Sequence, residues 1–148
     1  MIFTIPNLIN SLAGVLKKGY PTYKVYTGPN QQGTEYPCFF IFLMPSTIED
    51  QVDERFYRDL GIDIVFVQQR NVVNGNAQLQ EVQENLDANL ALFDYSDGAG
   101  TIPLHTYERE ASTEDQELHY KFHIRQRVHI PRTPNPMRVL EENNVNIE

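Results

Sequence analysis

Three of the four histidines in the chain lie within residues 118–130, whose sequence is LHYKFHIRQRVHI. The same segment carries one lysine and two arginines. Imidazole, ammonium and guanidinium groups at this density could bind a metal ion, contact nucleic-acid phosphates or form the charged face of a strand. The element that carries these residues decides among the three.

Alternate residues of the segment differ in character, as they do along a half-buried β-strand. One face would be apolar apart from Gln126, and it would comprise Leu118, Tyr120, Phe122, Ile124, Val128 and Ile130. The other face would be basic, and it would comprise His119, Lys121, His123, Arg125, Arg127 and His129. The segment therefore predicts an amphipathic strand whose basic face is either solvated or in contact with an acidic partner.

A metal site requires imidazoles that converge on one ion, about 2 Å from each nitrogen. His119 and His123 are four residues apart, which is about 13 Å along a strand. His105 could approach from a neighbouring strand, but no HExxH motif or CxxC pair accompanies it. No metal is therefore predicted, and a small metal-dependent enzyme that uses these histidines with nearby carboxylates is the lesser alternative.

Other enzyme signatures are also missing from the sequence. It contains no GxGxxG, GxxxxGK[ST] or GxSxG motif, which would indicate dinucleotide, nucleotide or hydrolase chemistry. The only cysteine, Cys38, lies in the apolar run PCFFIFL and is predicted to be a small buried hydrophobe. No catalytic residue and no cofactor are predicted.

The overall charge limits the kind of partner. The 148 residues include 20 acidic and 12 basic ones, for a formal net charge of −8. An acidic surface disfavours general nucleic-acid binding, which requires phosphate charges to be neutralised by Lys and Arg. The N-terminus lacks the features of a signal peptide, and the longest apolar run, from Pro37 to Pro45, is too short to span a membrane.

Hydrophobic periodicity predicts the elements that position these residues. A first helix would begin after a Thr4 cap and end at Gly19. A second helix would present one apolar face made of Leu79, Val82, Leu86, Leu90 and Phe93. Strands are predicted at residues 23–26, 38–44, 55–68, 101–110 and 117–130. The connecting segments would be a polar link at 47–53, a loop at 94–100 and a hairpin turn at 111–115.

This order of elements indicates one α+β domain over residues 1–148, with a mostly antiparallel β-sheet packed against two α-helices. The all-apolar strand at 38–44 would be central and buried on both sides. The folded core would span residues 1–130. Residues 131–148 would form an extended C-terminal tail, in which 136–142 could make a short helix.

Several features, in this order, resemble the small tail terminator, or tail-completion, proteins of long-tailed bacteriophages. An amphipathic helix ends before TYKVY, and a Gly/Gln loop leads into EYPCFFIFL. The segment ERFYRDLGIDIVF then precedes the helical segment QEVQENLDANLALF. A hairpin follows, DGAGTIPLHTYERE with DQELHYKFHIRQRVHI, before the tail PNPMRVLEEN. The resemblance covers nearly the whole chain, and its most characteristic parts are the YPCFF strand start and the PNPMRVLE ending.

The resemblance implies a structural virion protein and not an enzyme. Proteins of that family cap the tail tube, stop its polymerisation and form rings, typically hexameric, that join the tail to the head connector. The implied partners are further copies of the chain, the tube protein and a head-completion or connector protein. DNA would pass through the ring without specific binding, and no membrane would be involved. The implied location is the tail or neck of the virion, after assembly in the cytoplasm of the host bacterium. A different neck or tail component, such as a head-completion or tube-initiation protein, is the alternative.

A closed ring of identical subunits joins two different patches of each copy, and the sequence offers candidates for both. The basic patch consists of Lys121, His123, Arg125 and Arg127. The acidic patch consists of Glu49, Asp50, Asp53 and Glu54. In the tail, Met137 and Leu140 are three residues apart and could dock on a neighbour as one helical face.

Overall fold

The computed structural model describes residues 3–28, 33–50, 55–70 and 72–129. Within them the chain forms two helices, α1 (Ile5–Gly19) and α2 (Gly75–Leu90). The strands are β1 (Lys24–Tyr26), β2 (Cys38–Leu43), β3 (Thr47–Asp50), β4 (Arg55–Val67), β5 (Leu92–Ser96), β6 (Thr101–His105), β7 (Tyr107–Glu114) and β8 (Glu117–His129). The helix predicted at 136–142 lies outside the described residues.

The main sheet has the strand order β1-β2-β4-β8-β7, and β3 pairs with β4 beyond the end of β2. β4 and β8 form a continuous antiparallel ladder from Arg55↔His129 to Val67↔Glu117. Each of these strands has 13 residues, or about 43 Å of chain. β1 is parallel to β2, and the other pairs in the sheet are antiparallel. β5 and β6 form a separate two-stranded sheet.

One face of the main sheet, here called the inner face, packs against both helices and forms the core. Its central β4–β8 pairs, such as Ile62↔Phe122 and Ile64↔Tyr120, have side chains that are at most 1% exposed. The helices add leucine and valine side chains from one face each, namely Leu8, Leu12 and Leu16 of α1 and Leu79, Val82, Leu86 and Leu90 of α2. The hydroxyl of Tyr120 donates to Asp87 Oδ1 of α2 at 2.5 Å, and burial followed by this hydrogen bond raises the pKa of Tyr120.

The first helix begins and ends as its sequence predicts. Thr4 Oγ1 accepts a hydrogen bond from the backbone N–H of Asn7 at 3.2 Å, which satisfies one of the free donors of the first turn. The Thr4 N–H donates in turn to the Tyr95 hydroxyl at 3.0 Å, and the Tyr95 ring stacks on Phe3 with centroids 4.8 Å apart. The small β5–β6 sheet is thereby fixed to the start of α1.

The segment after α2 differs from its prediction. Phe93 does not extend the apolar face of the helix, because α2 ends at Leu90 and residues Leu92–Ser96 form β5. Phe93 and Tyr95 alternate with exposed neighbours and are 4% and 0% exposed. The predicted loop at 94–100 therefore begins with strand residues that pack on the core.

The predicted strand at 101–110 is two strands in two different sheets. The break falls at Thr106, whose Oγ1 donates to Leu90 O at 2.7 Å and whose N–H donates to Ala91 O at 3.1 Å. These bonds hold the chain against the end of α2, where it passes from β6 to β7. The hairpin between β7 and β8 is confirmed, but its turn is shorter than predicted and consists of Asp115 and Gln116, both with positive φ.

Two predictions around β2 also require correction. The polar link at 47–53 includes the strand β3, which pairs with β4 from Thr47↔Asp59 to Asp50↔Phe56. β2 is not buried on both sides along its length, because Phe40 and Phe42 are half-buried and Leu43 is 43% exposed. The burial predicted for Cys38 is confirmed at 0% exposure.

The predicted α+β class, with a mostly antiparallel sheet packed on two helices, is confirmed. Neither helix in the described ranges is long and apolar enough to cross a membrane.

Candidate functional site

The face of the main sheet opposite the helices, here called the outer face, carries the charged residues of β4 and β8. The alternation predicted for β8 is confirmed as far as its side chains are described. Leu118, Tyr120, Phe122 and Ile124 are at most 1% exposed. His119 and His123 are half-buried, and Lys121 and Arg125 are exposed.

The outer face is not purely basic, because two aspartates of β4 lie among the basic side chains. Asp59 Oδ1 lies 3.1 Å from His123 Nδ1, and Asp63 Oδ2 lies 3.2 Å from His119 Nδ1. Neither pair is directly opposite in register, since Asp59 faces Arg125 and Asp63 faces Lys121. Each aspartate reaches diagonally, two residues along β8, which the twist of an antiparallel pair brings within reach of side chains.

Arg125 also contacts a β4 residue that is diagonal to it and not directly opposite. Its guanidinium carbon lies 4.6 Å from the centroid of the Tyr57 ring, although the residue opposite Tyr57 is Arg127. A cation over a tyrosine ring at an exposed site contributes about 0.5–1 kcal/mol. Arg125 is therefore held extended over the ring of Tyr57.

Asp59 connects three strands of the outer face. Its Oδ2 accepts a short hydrogen bond from the Tyr107 hydroxyl of β7, and its Oδ1 faces His123 of β8. Burial, followed by the hydrogen bond to Asp59 and the charge of that carboxylate, raises the pKa of Tyr107 to about 12. The Tyr107–Asp59–His123 chain fixes the imidazole in place, as an orienting carboxylate does.

A bulge in β7 brings Tyr107 and Glu108 to this chain. The register passes from Tyr107↔His123 to Glu110↔Lys121, so that β7 contains one more residue than β8 across the interval. Glu108 has a φ of 52°, which non-glycine residues adopt rarely. Its carboxylate Oε2 lies 4.0 Å from His123 Nε2. The sequence has no glycine or asparagine at this point that would have indicated the bulge.

Gly61 is a second feature that the sequence did not reveal. It lies opposite His123, between the two aspartates of β4, and Met44 N donates to its carbonyl at 2.8 Å. A Cβ on Gly61 would lie 2.9 Å from Met44 Cε and 3.1 Å from Met44 Cβ. The absence of a side chain at Gly61 is what allows the Met44 side chain to pack over this position.

The β1–β2 side of the outer face is aromatic and was not predicted either. Tyr26 stacks on Phe40 with centroids 5.3 Å apart, and Phe40 stacks on Phe42 at 5.8 Å. Tyr26 and Phe40 are also cross-strand neighbours in the parallel β1–β2 pair. The outer face thus combines an aromatic half with a charged half.

For some of the remaining predicted interface residues the structure describes only the backbone, and the others lie outside the described residues. Glu49 and Asp50 belong to β3, and Arg127 belongs to the last part of β8, where the structure describes the backbone but not these side chains. Register puts Glu49 and Arg127 on either side of Tyr57. The candidates Asp53, Glu54, Met137 and Leu140 lie outside the described residues.

The outer face brings aspartate carboxylates and imidazoles of neighbouring strands within hydrogen-bonding distance. Among the described residues, no group of three or more His, Cys, Asp or Glu side chains is arranged to hold a metal ion. His105 lies in β6 of the small sheet, separate from His119 and His123 in β8 of the main sheet. Burial raises the pKa of the Cys38 thiol to about 11, which keeps it protonated and unreactive near neutral pH.

A family model described as phage tail terminator protein matches residues 7–136. The match spans both helices, both sheets and the charged outer face. No curated protein matches the chain. The resemblance inferred from the sequence is therefore confirmed: the chain belongs to the phage tail terminator family.

Proposed function

We propose that this protein caps the end of the phage tail tube, stops its polymerisation and joins the tail to the head connector as a ring of identical copies, typically six. The family match over residues 7–136 carries this proposal. Membership gives the chain a structural role in the phage tail and a location in the tail of the virion. Assembly would take place in the cytoplasm of the host bacterium. The tube protein and a head-completion or connector protein are the proposed partners outside the ring.

The charge of the chain is compatible with a ring around DNA. Each copy has a formal net charge of −8, so a ring of copies would repel phosphates and let DNA slide through without specific contacts. The outer-face histidines already have aspartate neighbours at 3.1 and 3.2 Å, which makes them poor anchors for phosphate.

The proposed subunit contact joins the basic side of β8 to the acidic segment of a neighbour. Lys121 and Arg125 are exposed on the outer face, where they can reach carboxylates outside their own chain through charge-assisted hydrogen bonds. His123 and Arg127 complete the basic patch, and Glu49, Asp50, Asp53 and Glu54 form the acidic one. Met137 and Leu140 of the tail are proposed as a further apolar contact.

We also propose that the protein is not an enzyme. The Tyr107–Asp59–His123 chain resembles the orienting part of a catalytic site, but it lies on a sheet face and not in a cleft. The one cysteine thiol is fully buried. The family is one of structural tail proteins, and hydrogen bonds of this kind serve equally to fix the charges of an interface.

Tube assembly provides the test. Tubes polymerised from the tube protein are incubated with this protein, supplied with more tube subunits and measured by electron microscopy. We expect a ring at one end of each tube and no further elongation from that end. Tubes that elongate as before would overturn the proposal, and rings found only at the tip that first contacts the host would favour a tube-initiation role.

A matched pair of variants tests the contact itself. Arg125→Glu/Arg127→Glu reverses two charges on β8, and Lys17→Glu/Lys18→Glu makes the same change of net charge at the exposed end of α1. We expect the first to fail in capping and the second to cap normally. Equal capping by both would remove the basic patch from the interface.

A further inference from the structure

One end of the main sheet narrows to three strands, here called the arm: β3, the first five residues of β4 and the last five of β8. β7 accompanies β8 only as far as His123, and β1 pairs with β2 only from Cys38 to Phe40, at the opposite end. The arm therefore extends beyond the rest of the sheet.

Both long edges of the arm are open among the described residues. On one side lies β3, whose strand partner is β4. On the other side lie residues 126–129 of β8, which pair with β4 beyond the reach of β7. An open edge offers a row of backbone donors and acceptors to another chain. Two of the devices that block such pairing, proline and a bulge, occur in β6 and β7 but not in either arm edge.

The two arm edges have opposite charge. The β3 sequence Thr-Ile-Glu-Asp contributes Glu49 and Asp50, and residues 126–129 contribute Arg127 and His129. Ile48 on β3 is also 57% exposed, a large apolar side chain without cover in the described chain. Because their charges are opposite, the β3 edge of one copy is suited to pair with the β8 edge of another copy. Two copies of the same edge would bring like charges together.

We propose that β3 of one copy pairs through its backbone with residues 126–129 of β8 in the next copy, so that the arms of the ring form one continuous sheet. This inference rests on the proposed ring of identical copies and specifies how they join. It is a case of strand addition at an open sheet edge, in which main-chain hydrogen bonds supply affinity and side chains supply specificity.

The direction of the strands agrees with a ring. β3 and β8 are both antiparallel to β4, so they run parallel to each other. Rotation about the ring axis preserves the direction of strands that run along that axis, and with the arm in this orientation every subunit contact would be a parallel strand pair. A two-fold dimer joined through a single edge would instead place β3 against β3 or β8 against β8, with like charges opposed, which is unfavourable. Charge thus favours the head-to-tail contact that closes a ring.

Cysteine cross-linking tests the strand pairing. Glu49→Cys and Arg127→Cys are made as separate chains and mixed under mild oxidation. Within one chain these positions are separated by β4, which puts their backbones about 9.6 Å apart, beyond the roughly 7 Å limit for a disulfide. A disulfide between them must therefore join two copies. Cys38 is fully buried and stays unreactive.

We expect disulfide-linked dimers in the mixture, and a ladder ending at the full ring from the chain that carries both cysteines. The matched control is Thr113→Cys, an exposed position on the β7 edge, mixed with Glu49→Cys; it should give no cross-link. Separately, Glu49→Arg and Arg127→Glu should each weaken ring formation about tenfold or more, and the chain with both changes should recover it.

The possible outcomes separate the two proposals. Rings seen by electron microscopy without the Glu49→Cys to Arg127→Cys cross-link would overturn the strand pairing and leave the ring intact. A cross-link to Thr113→Cys instead would place the contact at β7 and also overturn it. A protein that stays monomeric and does not cap tubes would overturn the proposed function itself.

Discussion

Replacing Gly61 by alanine sets two effects of opposite sign against each other. Glycine inside a strand is destabilising by roughly 0.5–1 kcal/mol relative to alanine, because it loses more backbone freedom on folding. On that ground Gly61→Ala should stabilise the protein. However, the added methyl would lie 2.9 Å from Met44 Cε and 3.1 Å from Met44 Cβ, both closer than the roughly 3.5–4.0 Å optimum for carbon contacts.

The steric cost of the close contacts with Met44 should exceed the gain from replacing glycine by alanine in a strand. Met44 Cε can rotate away, but Met44 Cβ moves only with its backbone. That backbone is held in place because the Met44 N–H donates a hydrogen bond to the Gly61 carbonyl at 2.8 Å. Inserting a methyl into a packed site typically costs about 1–3 kcal/mol. Subtracting the propensity gain leaves a net destabilisation of about 0–2.5 kcal/mol, with a central value of about 1 kcal/mol. In a Met44→Gly background both of these contacts are absent and the next nearest atom is His123 Cε1 at 3.4 Å, so Gly61→Ala should then stabilise by about 0.5–1 kcal/mol.

Urea unfolding of the four proteins in this double-mutant cycle measures the effect of Gly61→Ala on the free energy of unfolding in each of the two backgrounds. A loss of 1 kcal/mol lowers the midpoint by about 0.5 M for a urea m-value near 2 kcal/mol/M. The expected result is a lower midpoint for Gly61→Ala alone and a higher midpoint when Gly61→Ala is added to Met44→Gly. A stabilising Gly61→Ala in the natural background, or the same effect in both backgrounds, would refute the role given to the Met44 side chain.

Four further outcomes are expected. Phe122→Ala should cost about 3–5 kcal/mol in urea unfolding because this ring is fully buried, whereas Lys121→Ala on the other face should stay within about 0.5 kcal/mol. Burial and the hydrogen bond to Asp59 raise the pKa of Tyr107 from its usual 10.0 to about 12 in the folded protein, so its stabilising contribution should be complete below pH 10 and disappear as pH rises from 10 to 12. Tyr107→Phe should flatten that part of the stability–pH curve. Elemental analysis should find no stoichiometric zinc, and chelation should leave the melting temperature unchanged. Arg125→Glu/Arg127→Glu should remain folded, with a loss of about 1–2 kcal/mol because the contact with the Tyr57 ring is removed and a glutamate then faces Asp59, and yet fail to form rings by native mass measurement.

Local hydrophobic periodicity was sufficient to predict those elements that have one buried face and one exposed face along their length. In α1, the spacing of Leu8, Leu12 and Leu16 and the Thr4 cap predicted a helix that ends at Gly19, and the structure agrees. In β8, alternation predicted which of the described side chains are buried, namely Leu118, Tyr120, Phe122 and Ile124. Each of these patterns lies within a single element, and so a short window of sequence contains all the information needed to recognise it.

Elements whose bounds depend on distant contacts were predicted less well. Phe93 continues the helical spacing of Leu86 and Leu90, yet Leu92–Ser96 also alternates, and packing against α1 decides for the strand. The break at Thr106 depends on hydrogen bonds to Leu90 and Ala91, about fifteen residues away, within a segment whose own pattern is that of one strand. Neither competition can be settled from a single window of sequence.

The candidate site shows the same limit in its electrostatics. The pattern of β8 predicts that its basic residues share a face, but it contains no information about which strand lies beside them. Asp59 and Asp63 occupy the matching parity of β4, and whether they meet the histidines depends on register, which the antiparallel ladder sets over 56 and 64 residues of separation. A slip of one residue would turn both carboxylates to the inner face. The register therefore converts a basic face into a mixed one at its centre. In the arm, β3 and residues 126–129 of β8 each pair with β4 along one edge within the described part of the chain, and the proposed pairing between copies would use their other edges.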